Sequence, residues 1–154
     1  MAISISQVLD PRHISLGLKE DHSRDAIPMV AELLLDHPAM KDVDGFSDSL
    51  LAREEIESTY MGHGIALPHA RTNLVDDLVM SVGRCDKGVH FESAPDKVKL
   101  IFVIGTPVQL VQEYLAAVGC LARIIKEEQN RNKLFNAETP ECFVKVIREI
   151  ENNL

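Results

Sequence analysis

Met61-Gly62-His63-Gly64-Ile65-Ala66-Leu67-Pro68-His69-Ala70-Arg71 sets a short apolar run between a glycine-rich step and a Pro-His pair. Ile65, Ala66 and Leu67 between turn residues read as a buried strand. Gly62 and Gly64 permit a backbone path that side chains would block. Pro68 fixes φ and lacks an N–H, so ladder pairing is expected to stop there. His69 is then delivered at a strand end with little backbone freedom, a site held by geometry.

Downstream, residues 98–105 form a nearly unbroken apolar run closed by Gly105-Thr106-Pro107, as expected of a central strand buried on both faces. Leu78, Met80 and Val82 alternate with Val79, Ser81 and Gly83, predicting a strand over 77–85. A long helix is expected around 109–127, with Leu115, Val118, Ala122 and Ile125 as its stripe and Gly119 as a point of close packing. Residues 130–137 read as a short helix. Thr139-Pro140-Glu141 supplies a cap, an N1 proline and an acidic first turn for a last helix, with Phe143, Val146, Ile147 and Ile150 inward.

Upstream, residues 4–9 read as a helical lead-in and 14–18 as a strand. A helix near 23–37 is predicted, capped by Ser23, with Pro28 tolerated near its start and His37 favoured in its last turn by the helix dipole. A second helix is expected over about 46–57, with Phe46, Leu50, Leu51 and Ile56 inward. Helices and strands alternate, so the expected fold is α/β, a single mixed β-sheet flanked by α-helices on both faces. One domain over residues 1–154 is enough for a proper core.

Hydrophobic residues at 45% and charged residues at 26% match a globular chain rather than a disordered one. Sixteen Lys and Arg stand against 24 Asp and Glu, a net charge of −8. That balance argues against nucleic acid and anionic membrane surfaces as partners, since both select basic proteins. No apolar run approaches spanning length and no leader pattern opens the chain, so direct membrane insertion is not expected. Cys85, Cys120 and Cys142 form no Cys-x-x-Cys pair, as expected of a reduced, cytoplasmic protein. Association of like copies is compatible with all of these features.

The run Leu50-Leu51-Ala52-Arg53-Glu54-Glu55-Ile56-Glu57-Ser58-Thr59-Tyr60, followed by Gly62-x-Gly64-Ile65-Ala66-Leu67-Pro68-His69, resembles a known pattern. It is that of the fructose/mannitol-type enzyme IIA domain of the bacterial phosphoenolpyruvate-dependent phosphotransferase system, including its nitrogen-regulatory branch. The resemblance extends over nearly the whole chain. It implies a phosphocarrier in which His69 takes a phosphoryl group from HPr or a relative. The group would pass to a cysteine of a IIB domain or serve as a regulatory signal. An imidazole suits the task, being largely unprotonated and nucleophilic near neutral pH. By resemblance, Nε2 would be the phosphorylated atom.

Arg53 matches the family's site arginine, whose fork holds phosphoryl oxygens. Read without the motif, it is an exposed arginine paired with Glu57 four residues on. Ser58 and Thr59 match a Ser-Thr pair that either contributes hydroxyls or ends the helix. Tyr114 falls where many members carry a second histidine; it can donate a hydrogen bond but brings no positive charge near pH 7. His63 either substitutes for that imidazole, if 63, 65, 67 and 69 share one strand face, or is an exposed loop residue. No cofactor is implied, and the His63–His69 spacing fits no common zinc pattern. The second reading is a non-catalytic regulatory module that keeps this fold and binds another protein.

Overall fold

A nine-residue strand of Val, Leu, Ile and Phe, broken only by Lys99 near its start and closed by a glycine and a threonine, belongs at the middle of a sheet. The computed structural model, which describes residues 3–154, places it there as β6 (Val98–Thr106). The other strands are β1 (Ile14–Ser15), β2 (Tyr60–Gly62), β3 (Ile65–Ala66), β4 (His69–Arg71) and β5 (Val79–Val89). β5 pairs antiparallel with β6 on one side and parallel with β1, while β3 and β4 run parallel to β6 on the other. The sheet is mixed, as expected, in the order β1-β5-β6-β3-β2 with β4 also on β6.

Pairing does not stop at Pro68. Ile65 faces Leu100 and Ala66 faces Ile101, and after the proline His69, Ala70 and Arg71 face Ile104, Gly105 and Thr106 in the same step. Pro68 lacks only a donor. Its carbonyl still accepts from the Ile104 N–H at 3.0 Å, so the ladder loses a rung and keeps its register. Side chains therefore alternate through the proline, and His69 and Arg71 continue the row begun by Ile65 and Leu67.

Among the described residues, six α-helices cover both faces: α1 (Ile5–Val8), α2 (Ser23–Glu32), α3 (Val43–Ile56), α4 (Val111–Lys126), α5 (Glu128–Asn136) and α6 (Pro140–Asn152). Ala66, Ala70, Val79, Ile101 and Val103 pack with residues of α2 and α3. Ile65, Leu67, Met80, Leu100, Phe102 and Ile104 pack against α1, α4, α5 and α6. Gly105 sets the height of α3 over the sheet. A β-carbon there would stand 2.6 Å from Cε1 of the buried Phe46 ring, closer than any such contact can be.

Several local expectations are corrected. α2 ends at Glu32, because the chain tightens into i→i−3 bonds from Leu33 to His37. Its cap is His22, whose Nδ1 accepts from the Arg24 N–H, and Ser23 is its first residue. Pro28 falls in the second turn of α2, within the first turns where it was expected to be tolerated. His37 Nδ1 accepts from the Ala39 N–H at 3.0 Å and so holds the turn beyond the helix. α3 starts earlier than expected, because Asp42 accepts from the Gly45 N–H as its cap. Its Ile56 is 81% exposed, six residues past Leu50 and hence on the far side of the helix. β1 covers only Ile14 and Ser15, whereas β5 runs on to Val89 through an irregular register.

The buried stripe of α4 is Ala117, Cys120, Leu121, Ile124 and Ile125, whereas Leu115 is 59% exposed. Tyr114 precedes Ala117 by three residues and so opens that stripe at its N-terminal end. Gly119 lies off it, and a β-carbon there would meet nothing within 4 Å. Its glycine is not a packing device. Gly119→Ala is accordingly expected to stabilise the protein by about 0.5–1 kcal/mol, read as a higher urea midpoint at unchanged slope.

Candidate active site

The site begins at the C-terminal end of α3. Glu54 accepts both the Thr59 N–H (3.0 Å) and the Thr59 hydroxyl (2.5 Å), closing the turn from helix to strand. The Thr59 carbonyl accepts from the Leu67 N–H at 3.0 Å. The Leu67 carbonyl in turn lies 3.0 Å from Nδ1 of His69. A carbonyl can only accept, so Nδ1 carries the ring proton and Nε2 keeps its lone pair. The ring is half-buried, and among the described residues Nε2 has no hydrogen-bond partner. Burial chiefly, with the Arg53 charge adding to it, holds the His69 pKa below the usual 6.5; the Leu67 carbonyl and Glu54 pull the other way. Near neutral pH the imidazole is a neutral nucleophile.

Tyr114 stands beside it, with ring centroids 5.3 Å apart and planes tilted by 40°. Burial pushes its phenol pKa up, so it remains a hydroxyl donor. Arg53 donates from Nη1 to the Glu57 carbonyl at 2.7 Å, at the dipole-negative end of α3. Among the described residues it has no carboxylate partner; the side-chain pair with Glu57 does not form. Its positive charge reaches both His69 and Tyr114.

Of the remaining expected residues, Thr59 is buried with its hydroxyl committed to Glu54, and the Ser58 hydroxyl accepts from the Tyr60 N–H at 3.2 Å. Both shape the turn that delivers the strand. His63 is not brought to the site. It is exposed in the β2–β3 turn, with φ of 58° between Gly62 at 94° and Gly64 at 79°. Gly64 lies against Lys99 and His69 against Ile104, so His63 sits about 16 Å farther back along β6. Three successive positive φ values break the alternation that would have put 63 and 69 on one face.

Arg71 is the residue that motif reading missed. It lies two positions after His69 on the same strand face, exposed, and donates from Nη2 to the Val108 carbonyl at 2.8 Å. Period-two spacing from His69 was the available signal. Four apolar side chains on the segments that carry these groups are exposed: Ile56 in the α3 turn of Arg53, Val108 whose carbonyl holds Arg71, and Val111 and Leu115 in the α4 turn of Tyr114.

One other group of metal-capable side chains lies together among the described residues, His22, His90 and Glu92. His22 is committed at both nitrogens, Nδ1 to the Arg24 N–H and Nε2 to Glu92 at 3.1 Å. The group serves the start of α2 and contributes nothing at His69. No helix of the described residues is long and apolar enough to cross a membrane.

Residues 7–150 match the family model described as phosphoenolpyruvate-dependent sugar phosphotransferase system, EIIA 2. A fructose-specific EIIA component of Haloferax volcanii is 31% identical over 147 residues, covering 95% of this chain and 96% of its own. The crystal structure of the nitrogen regulatory protein IIA-Ntr from Neisseria meningitidis is 26% identical. It covers 93% of this chain and 98% of its own, with a TM-score of 0.85. Mannitol enzyme IIA of Escherichia coli, solved in complex with phosphorylated enzyme IIB, is 20% identical. It covers 90% of this chain and 95% of its own with a TM-score of 0.78, a likeness of fold.

Proposed function

Because the chain belongs to the EIIA 2 family of the phosphoenolpyruvate-dependent sugar phosphotransferase system, we propose that it is a phosphohistidine carrier whose acceptor is Nε2 of His69. The observation that carries this reading is the Nδ1–H bond to the Leu67 carbonyl. It fixes the tautomer, aims the other nitrogen, and leaves its lone pair unclaimed. The P–N bond of the donor phosphohistidine breaks as the Nε2–P bond forms. Each ring keeps the proton on its other nitrogen, so no separate base is needed. Loose phosphoryl-transfer transition states ask chiefly for alignment and charge stabilisation. Arg53 supplies the charge and the Tyr114 hydroxyl a donor to a phosphoryl oxygen.

The donor in this reading is HPr or a relative, and the acceptor a IIB-domain cysteine or a regulatory target, engaged in the cytoplasm by one domain of this fold. Related IIA domains do pair with IIB domains, as the mannitol complex illustrates. The exposed Ile56, Val108, Val111 and Leu115, on the segments that carry Arg53 and Tyr114 and hold Arg71, offer such partners apolar surface. Tyr114 favours a second reading, a non-catalytic regulatory module that keeps the fold, binds another protein and is itself phosphorylated weakly or not at all, because a phenol adds no positive charge.

Incubation with phosphoenolpyruvate, enzyme I and HPr is expected to add one acid-labile phosphoryl group, seen by intact mass at neutral pH. No uptake would leave the regulatory module. Uptake should also fall as pH drops, with a midpoint below 6.5, because the ring is nucleophilic only when unprotonated and its pKa is lowered. A midpoint above 6.5 would contradict the buried, cation-flanked ring.

A further inference from the structure

Arg53 and Arg71 share an uncommon condition in a chain of net charge −8. Each guanidinium near His69 is held by a backbone carbonyl, Glu57 for one and Val108 for the other. Among the described residues neither meets a carboxylate. Carbonyls position a cation without neutralising it. Two guanidiniums without carboxylate partners therefore stand at the site, Arg53 in the last turn of α3 and Arg71 two residues after His69 on β4. Both charges bear on the Tyr114 hydroxyl.

From this geometry we infer that Arg71 is a second phosphoryl-binding guanidinium, which leaves the Val108 carbonyl to grip the phosphoryl group on His69. The inference rests on the phosphocarrier reading. A phosphoryl group on nitrogen carries close to two negative charges spread over three oxygens, more acceptor sites than one guanidinium fork can fill. Arg71 follows His69 by two residues in a strand whose register is held through Pro68, so its stem rises on the same face. It is exposed, so rotating toward the phosphoryl oxygens costs one backbone bond and no burial. The fork geometry then offers two parallel N–H donors.

The exchange also carries information. Val108 is the second residue of the link between β6 and α4, and its side chain is 47% exposed. Withdrawing Arg71 frees this link when phosphate arrives. The docking surface of the phosphorylated form is thereby distinguished from that of the free form.

The test compares wild type, Arg71→Gln and Arg71→Lys for the rate of phosphoryl uptake from phospho-HPr, and from potassium phosphoramidate as a partner-free donor. Glutamine is expected to slow uptake from both donors about ten- to a hundredfold. Lysine, which keeps charge but not the fork, should recover part of it. Amide exchange at residues 108–110 should quicken on phosphorylation in wild type and stay unchanged in the glutamine variant. Uptake by Arg71→Gln within twofold of wild type overturns the inference and leaves the carrier reading intact. A loss that lysine does not relieve, with no change in exchange, assigns Arg71 to holding the link and overturns it too. Wild-type protein that takes phosphate from neither donor sinks the carrier reading and this one with it.

Discussion

His69→Ala is expected to take up no phosphoryl group under conditions that saturate the wild-type protein, while remaining folded. The side chain stands half-buried and makes one hydrogen bond, to the Leu67 carbonyl. Losing it costs about 0.5–1.5 kcal/mol, too little to unfold a domain of this size. Chemically the loss is complete, because no other residue in the site offers an unprotonated nitrogen. The guanidiniums of Arg53 and Arg71 donate hydrogen bonds and accept none, and the Tyr114 phenol pKa is pushed up by burial. His69→Gln sharpens the test, since an amide can still donate to Leu67 but cannot accept a phosphoryl group in a labile P–N bond. Intact mass at neutral pH, with circular dichroism as the folding control, gives the readout. Phosphate retained in either variant would move the acceptor to one of the other five histidines and would dismantle the site built around residue 69.

How much of this was legible in the sequence varies with the kind of constraint. The strand Val98–Thr106 was legible because a two-sided apolar run admits one position in a sheet. The cap and proline at Thr139-Pro140 gave the start of α6, and the Thr139 hydroxyl does accept from the Cys142 N–H at 3.0 Å. Helix faces were less legible. In α4 two stripes at helical spacing compete, and only contact with the sheet chooses Ala117-Cys120-Leu121 over Leu115-Val118-Ala122. Ile56 illustrates the converse, an apolar residue taken for core that the helix turns toward solvent. At the site, Pro68-His69 announced a held imidazole, but the holding group is the carbonyl of Leu67, a backbone atom that no residue type encodes. Arg71 escaped because its bond to Val108 joins positions 37 apart in the chain. His63 was misleading because positive φ values, invisible in a period-two pattern, turn the chain before the strand begins.

Arg53→Gln is expected to lower the rate of phosphoryl uptake on the order of 10²–10³-fold, the cost of removing a preorganised charged donor from a developing dianion. The guanidinium sits in the last turn of α3, where the helix dipole favours a cation and the Glu57 carbonyl fixes its fork at 2.7 Å. Glutamine can donate to that carbonyl, so the helix end should survive and the loss should appear in transfer rather than in stability. Arg53→Lys keeps the charge and loses the planar fork, and is expected to fall between the two. The pH profile separates a direct role from loosened packing. The Arg53 charge is one of the groups that lower the His69 pKa. Removing it makes the ring easier to protonate, so the acid limb of the uptake profile should move to higher pH in Arg53→Gln and hold its place in Arg53→Lys. A packing defect would slow uptake across the pH range and leave that limb where it was. If Arg53→Gln takes up phosphate at the wild-type rate with an unmoved acid limb, its guanidinium only ends a helix, and the charge that steadies the phosphoryl group comes from β4.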